Sequence, residues 1–512
     1  MNRTQLRALL TAGLLSCAST ALARDVPVDS ATALVAAIGA ARAGDVILLA
    51  SGSYRLTGVG CSATGTASAP IVVKSATPLG AKLQLDSLEG FKVTGAHWHF
   101  EGLDITGVCA KDADCEHAFH VTGAAEGFVL RSSRVLDFNA QLKVNSTQVA
   151  GTWRTPHGGL VEGNEIADSH PRSTSSPVTK LNIDTGDGWV VRANYIHDAH
   201  KGGGDGISYA AFMKSGGRNG TFERNLVICS RNDTSGGVRI GLSFGGGGTG
   251  AQFCAPAFDA ATPCDPEHRG GTMKNNIIVN CSDVGIYLNK ARDTKLLFNT
   301  LASTTGIDFR YASSTGEADG NVLSGKIRGR EGGTFTNKTN LTEVTAFGSW
   351  YVSPTTGDLT KKGDLSSLLQ KADPRAEVAD DYCGRPRPAT KLTLGALEHS
   401  LGDCDTTRPP LVPGAGPADA GAGEVRPDAG AGAASDAGAQ SPSDAGAEPM
   451  REDAGTDAGA ERDATAAPSG DAGTPAREDD GGCSTSRSHG QGCWMLLALA
   501  LLLRRRRVAD AQ

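Results

Sequence analysis

The apolar positions of residues 30–43 recur at helical spacing, and residues 46–50 form an apolar run closed by Gly52 and Tyr54. That pattern predicts a short helix followed by a first strand. Beyond it the chain carries no long amphipathic stretch. Short runs rich in Val and Ile alternate instead with Gly, Asn and Asp, the pattern of many brief strands joined by tight turns.

A phrase repeats within these runs. Gly158 leads through Val161 and Glu162 to Asn164 and Ile166, Gly188 through Val190 and Val191 to Asn194 and Ile196, and Gly220 through Phe222 and Glu223 to Asn225 and Val227. Asn276, Asn299 and Asn321 stand at the same point of later copies, giving intervals of 30, 31, 51, 23 and 22 residues. Such a period predicts one solenoid coil per repeat, with loops inserted on some coils. The interval of 51 fits either one coil with a long loop or two coils with one asparagine missing. Asn suits a stacked turn because its amide bonds to neighbouring backbone and to the next Asn, and because it tolerates the left-handed conformation. The apolar neighbours Ile196, Val227, Ile277 and Val279 then fill a narrow core. The pattern is that of a parallel β-helix. A β-sandwich competes, but it asks for cleaner alternation and for hairpin turns of the Asn-Gly kind.

Composition divides the 512 residues into unlike parts. The 67 Gly show no Gly-x-y period, which removes collagen, and the formal charge of −7 offers no general field for nucleic acid. Residues 1–23 run from Arg3 and Arg7 through an apolar centre to Ala21, Leu22 and Ala23, a signal peptide cleaved before Arg24; lipidation at Cys17 is the alternative. Residues 24–407 form the repeat domain. Residues 408–480 follow, and within 411–480 the triplet Asp-Ala-Gly occurs seven times with 15 acidic against 4 basic side chains, so this segment reads as a disordered acidic stalk. Without the stalk and the two ends, residues 24–410 carry a net charge of only −2. In residues 481–512 an apolar run from Trp494 to Leu503 spans about 16 Å as a helix and precedes four arginines. Cysteine spacing predicts loop bridges Cys109–Cys115, Cys254–Cys264 and Cys383–Cys404 in an oxidising compartment, pairs Cys229 with Cys281 across coils, and leaves Cys61 over. No Cys-x-x-Cys pair supports zinc, and His97, His99, His117 and His120 fall in separate segments.

Two resemblances extend this reading. The Ala-Gly-Asp-Val-Ile-Leu-Leu phrase before Tyr54, the Asn repeats and the Gly395-Ala396-Leu397-Glu398 close resemble secreted proteins of the pectate-lyase-like superfamily. The resemblance implies an all-β, single-stranded right-handed parallel β-helix behind an N-terminal capping helix. The Gly482-Cys483 pair, the apolar run and the arginines resemble myxobacterial C-terminal sorting signals, which implies attachment to the cell envelope and display at the cell surface, or release.

Within the repeats, Lys214-Ser215 ahead of Phe222 to Asn225, followed by Val238 and Arg239, is similar to the catalytic region of the alginate and chondroitin B lyase family. The similarity implies Lys214 as the base and Arg239 as the group that neutralises the uronate carboxylate in a β-elimination. Met213 replaces the family's Asn, and Ile207 and Tyr209 replace its paired glutamates, so Asp184, Asp187 and Asp205 are the substitute ligands for Ca2+. His197 beside Asp198 is a candidate acid or base. Arg218, Arg224, Tyr209 and His268 are candidate substrate-binding residues, the last in a loop expected to cover the groove. These readings point to a monomer that takes an acidic polysaccharide and not nucleic acid, as a lyase; the alternative is a noncatalytic carbohydrate-binding or adhesion module.

Overall fold

A computed structural model describes residues 24–246 and 248–408. The signal peptide, the stalk from residue 409 on and the C-terminal tail, with its reading as a sorting signal that attaches the protein to the cell envelope, lie outside the described residues. Among the described residues no helix is long and apolar enough to cross a membrane.

The strand Arg24–Val28 comes first and was not foreseen; it pairs in parallel with Asp45–Leu49, and Arg24 bonds the buried Asp45 carboxylate at 2.7 Å. Between them lies the expected helix, Ala31–Gly39, whose N-terminus is capped by Ser30 Oγ accepting from Ala33 N at 3.3 Å. Its buried Leu34 and Ile38 close the end of the core. After it the chain climbs in coils. Each coil adds one strand to each of three parallel sheets of 12, 10 and 10 strands, the arrangement of a right-handed parallel β-helix.

Alternation builds the interior. In the 10-stranded sheet that contains Ile207–Lys214, the residues Phe91, Phe119, Leu142, Leu181, Ala211, Leu242, Ile286 and Ile307 stand opposite one another coil after coil. All are buried in one continuous cluster. Burying each large aliphatic side chain stabilises the fold by roughly 1.5–3 kcal/mol.

The asparagine ladder forms as expected and runs one rung further. Asn164 Nδ2 donates to Asn194 Oδ1 at 2.9 Å, and the chain of amides continues through Asn225, Asn276, Asn299 and Asn321 to Asn340. Asn225 bonds Asn276 directly at 2.9 Å, so the interval of 51 residues is one coil with a long loop. Each Oδ1 also accepts the backbone N–H of the preceding rung. The left-handed conformation is displaced by one position from where it was expected. It falls on Gly163, Ala193, Arg224, Asn275, Phe298 and Gly320, immediately before the ladder residues. The ladder residues are kept for their amides, and the neighbouring position makes the turn.

The four disulfides pair as the spacing predicted, with Cys61 buried and unbridged. The largest departure lies in residues 341–406. They are not further coils: Val344, Phe347, Trp350, Leu365, Leu368 and Tyr382 pack as a second apolar cluster onto Leu226, Ile228, Ile277, Val279 and Val322 of the third sheet. The outer side of that sheet is thereby covered over its later coils, from Tyr195 to Val322, while Arg55, Lys82 and Gln84 on its first strands stay exposed.

Candidate functional site

The outer side of the sheet containing Ile207–Lys214 is built by the same alternation that fills the core. One row outward, Lys92, His120, Lys143, Asn182, Phe212, Ser243, Tyr287, Asp308 and Arg328 stand in register. Two residues along come Thr122 with Asn145, then Asp184 with Lys214, then Asn289 with Arg310 and Arg330. Neighbouring strands lie about 4.8 Å apart, so these side chains form a polar wall parallel to the solenoid axis.

Three groups at its centre share charge. The Asp184 carboxylate is bonded by Lys143 Nζ through Oδ2 and lies 3.5 Å from Lys214 Nζ through Oδ1. Lys143 also donates to Asn182 Oδ1 at 3.4 Å. Burial pushes the Asp184 carboxyl up, but the two ammonium groups outweigh it and hold it below its ordinary value. The Lys214 stem is packed, with Nζ 5.0 Å from the Phe212 ring centroid. Toward the N-terminal coils, His120 bonds Glu89 and the Asn145 amide oxygen, each at 2.6 Å. The hydrogen bond from His120 is the main cause that brings the Glu89 carboxyl down to about 2.

Lys214 therefore stands on this wall, but Arg239 does not join it. Arg239 is the register partner of Ser208, and Lys214 lies six residues further along its strand, about 20 Å away at the rise of an extended chain. The Arg239 guanidinium is 1% exposed and clamps a loop, donating to the Asp233 and Ser235 carbonyls at 2.5 and 2.8 Å and pairing with the Asp233 carboxylate at 3.0 Å. Sequence separation gave the right number of coils but not the position along each strand.

The other candidates disperse. His197 belongs to the third sheet, buried between Asp198 at 2.8 Å and Glu165 at 3.2 Å. Burial lowers its pKa, but those two carboxylates outweigh it and raise it above the ordinary value. Arg224 is held under the C-terminal segment, 3.4 Å from Asp380. His268 is 1% exposed and stacks on Phe244 at 4.2 Å; burial brings it down to about 3, so it is a neutral interior residue and not part of a mobile cover. Tyr209 lies on the correct sheet and packs against Ile240, Val284 and Tyr287. Arg218 is exposed and pairs with Asp187 at 2.6 Å. Asp205 pairs with Lys201 at 2.9 Å. Asp184, Asp187 and Asp205 thus face three different sets of cations, an arrangement that does not fit a shared calcium ion. Among the described residues no group of three or more His, Cys, Asp or Glu side chains could hold a metal ion.

Sequence reading missed Lys143, Asn145 and Glu89, and weighed His120 only as a metal ligand. Their signal was available as polar residues among the apolar positions of the runs 89–93, 117–122 and 140–145. Without a register there was nothing to align those runs with Lys214.

No protein-family model matches this chain, and no curated protein matches it. Solved structures do. The pectate lyase Pel9A superposes with a TM-score of 0.51 at 15% identity, over 71% of this chain and 90% of that one. A rhamnogalacturonan lyase gives 0.43 at 13%, over 70% and 90% of the two chains, and an alginate lyase from Paenibacillus sp. str. FPU-7 gives 0.37 at 18%, over 62% and 99%. At these identities the likeness is one of fold: the chain is a right-handed parallel β-helix of the architecture seen in Pel9A.

Proposed function

We propose that the polar wall around Lys214 takes an anionic polysaccharide and cleaves it at a uronate unit by β-elimination. The observation that carries this reading is the row Lys143, Asp184 and Lys214, two ammonium groups sharing one carboxylate on the outer side of the sheet, where the three side chains are 22%, 15% and 10% exposed. A uronate carboxylate entering beside Lys143 replaces part of the charge that Asp184 supplies. Lys143 then takes the neutralising role first assigned to Arg239, which makes the proton on C5 more acidic. Lys214, deprotonated, removes that proton; the electron pair forms the C4–C5 double bond, and the C4–O bond breaks. The leaving oxygen is protonated by water. Phe212 lies beside Lys214, with Tyr209 5.4 Å from the Phe212 ring, and Arg310 extends the positive charge along the sheet. Export, anchorage through the C-terminal tail and a monomeric state complete the proposal.

One observation favours the second reading, a noncatalytic binding or adhesion module: Asp184 beside Lys214 stabilises the ammonium form, which cannot act as a base. Incubating the protein with pectate, alginate, and chondroitin or dermatan sulfate, with and without calcium, separates the two. Unsaturated uronate products, read by their ultraviolet absorbance, are expected for the lyase. Binding with no product from any uronate polymer would overturn it in favour of the adhesin.

A further inference from the structure

One corner beyond Lys214, separated from it by Ser215 and Gly216, the chain forms a fourth, much shorter parallel sheet from Gly217–Arg218, His268–Arg269 and Ala291–Arg292. Its register is strict. Gly217 stands beside His268 and His268 beside Ala291, and one residue on, Arg218 stands beside Arg269 and Arg269 beside Arg292. Alternation sends the first column inward, where His268 and Ala291 are buried. It sends the three arginines outward, one per coil, with backbones about 4.8 Å apart.

Like charges directly opposite one another on a sheet repel, so an arginine column is expected to be interleaved with acids unless something else supplies the anions. Here the interleaving is incomplete. Asp187 precedes Arg218 in the same column, as its carbonyl and that of Arg218 accept the equivalent turn N–H groups of Gly158 and Gly188, and it pairs with Arg218 at 2.6 Å. Among the described residues no carboxylate forms an ion pair with Arg269 or Arg292; the salt bridges of this corner end at Arg218.

A recess opens beside the column. The loop closed by Cys254–Cys264 folds back onto the coil, with Ala255 N donating to Ser215 O at 2.9 Å and Ser215 Oγ in contact with Thr249 Oγ1 at 2.9 Å. Gly216 permits this approach: a Cβ there would lie 1.9 Å from Ala255 O. The cavity left between loop and coil, about 180 Å³, is lined by both Arg218 and Arg269. Asp265 lines it too but forms no ion pair with either guanidinium. The floor is firm, because His268 stacks on Phe244 directly beneath the arginines.

We infer that the Arg218–Arg269–Arg292 column is an accessory subsite for a linear anionic polysaccharide, holding successive carboxylate or sulfate groups of a segment that is not being cleaved. A guanidinium presents two parallel N–H donors that match either anion, and three of them at the coil spacing favour a polymer over a single small anion. The subsite rests on the reading of the ligand as polyanionic, but not on catalysis. It lies round the corner from Lys214, so a chain held here is retained whether or not the wall turns it over.

Affinity electrophoresis of the full chain through gels containing polygalacturonate, dextran sulfate or neutral dextran, at graded salt, tests this. The wild-type protein is expected to be retarded by the two polyanions, less so as salt rises, and not by dextran. Arg269→Gln/Arg292→Gln should weaken the polyanion affinity about tenfold or more, with an unchanged melting temperature, since both side chains are exposed or half-exposed. Lys214→Ala should keep most of the retardation even if it abolishes turnover, so loss of the lyase reading leaves this one standing. Retardation of the double glutamine variant equal to wild type, or equal retardation by neutral dextran, would overturn the subsite.

Discussion

Asn225 shows how much one side chain can hold. Its Oδ1 accepts both the backbone N–H and the amide of Asn194, and its own amide donates to Asn276 Oδ1 and Val191 O, all in the dry interior. Asn225→Ala removes these bonds and strands the Asn194 N–H, so a loss of about 2–4 kcal/mol is expected from denaturant unfolding. A loss under about 1 kcal/mol would mean that water replaces the rung. At the polar wall, Lys214→Ala is expected to lower turnover at least about a hundredfold while binding changes by a few-fold, and Lys143→Ala to raise KM as well, since it meets the carboxylate. His197 gives a pH signature. Its folded pKa is raised, so its contribution is complete below its unfolded value and fades as pH rises through the folded one. Its partner Asp198 is held at about 2, so the carboxylate's contribution is complete above the usual aspartate range and is lost as pH falls toward 2. The stability gap between wild type and His197→Gln should therefore be wider at pH 5 than at pH 9, which denaturant midpoints at the two pH values would reveal.

At the scale of elements, the strands and the one N-terminal helix were legible because alternation and capping are local properties. Ser30, the apolar spacing after it and the run at 46–50 were enough to place helix and strand within a few residues of where they form. The ladder was legible for the same reason, since each copy carries its own Asn. The turn conformation was misplaced by one residue because propensity says which residue tolerates a left-handed φ, not which one the coil needs there; Ala193 and Phe298 adopt it at φ 51° and 52°. The C-terminal segment was read as more of the domain and proved to be a cover. Its apolar residues lack the repeat's phrase, a signal that they pack on the solenoid and do not extend it. Trp350 is 9% exposed within that cover, and Trp350→Ala is expected to cost about 3–5 kcal/mol and to make the 341–406 segment the first to be cut by protease. An unchanged cleavage pattern would assign the cover's adhesion to its ion pairs, such as Arg375 with Glu317 at 2.5 Å.

For the molecule as a whole, the later coils of one outer sheet face are covered by residues 341–406 and another face is left polar, and this division positions the candidate site. A chain ending at residue 340 would expose Leu226, Ile228, Ile277 and Val279 as a continuous apolar strip, so it is expected to aggregate or associate, which light scattering would detect; a stable monomer of that length would contradict the role given to the cover. The amino-acid order alone settled the coil and its period and suggested the disulfide pairs, because each depends on neighbours along the chain or on a repeat that carries its own register; that Lys214 points outward was decided by the tertiary structure. The order could not settle which outward residues meet. Lys143, Asp184 and Lys214 converge, and Arg239 stands about 20 Å from Lys214, through the offset at which each coil stacks on the last. That offset is a property of the packed core, set by how Leu142, Leu181, Ala211 and Leu242 line up inside, and no single strand encodes it.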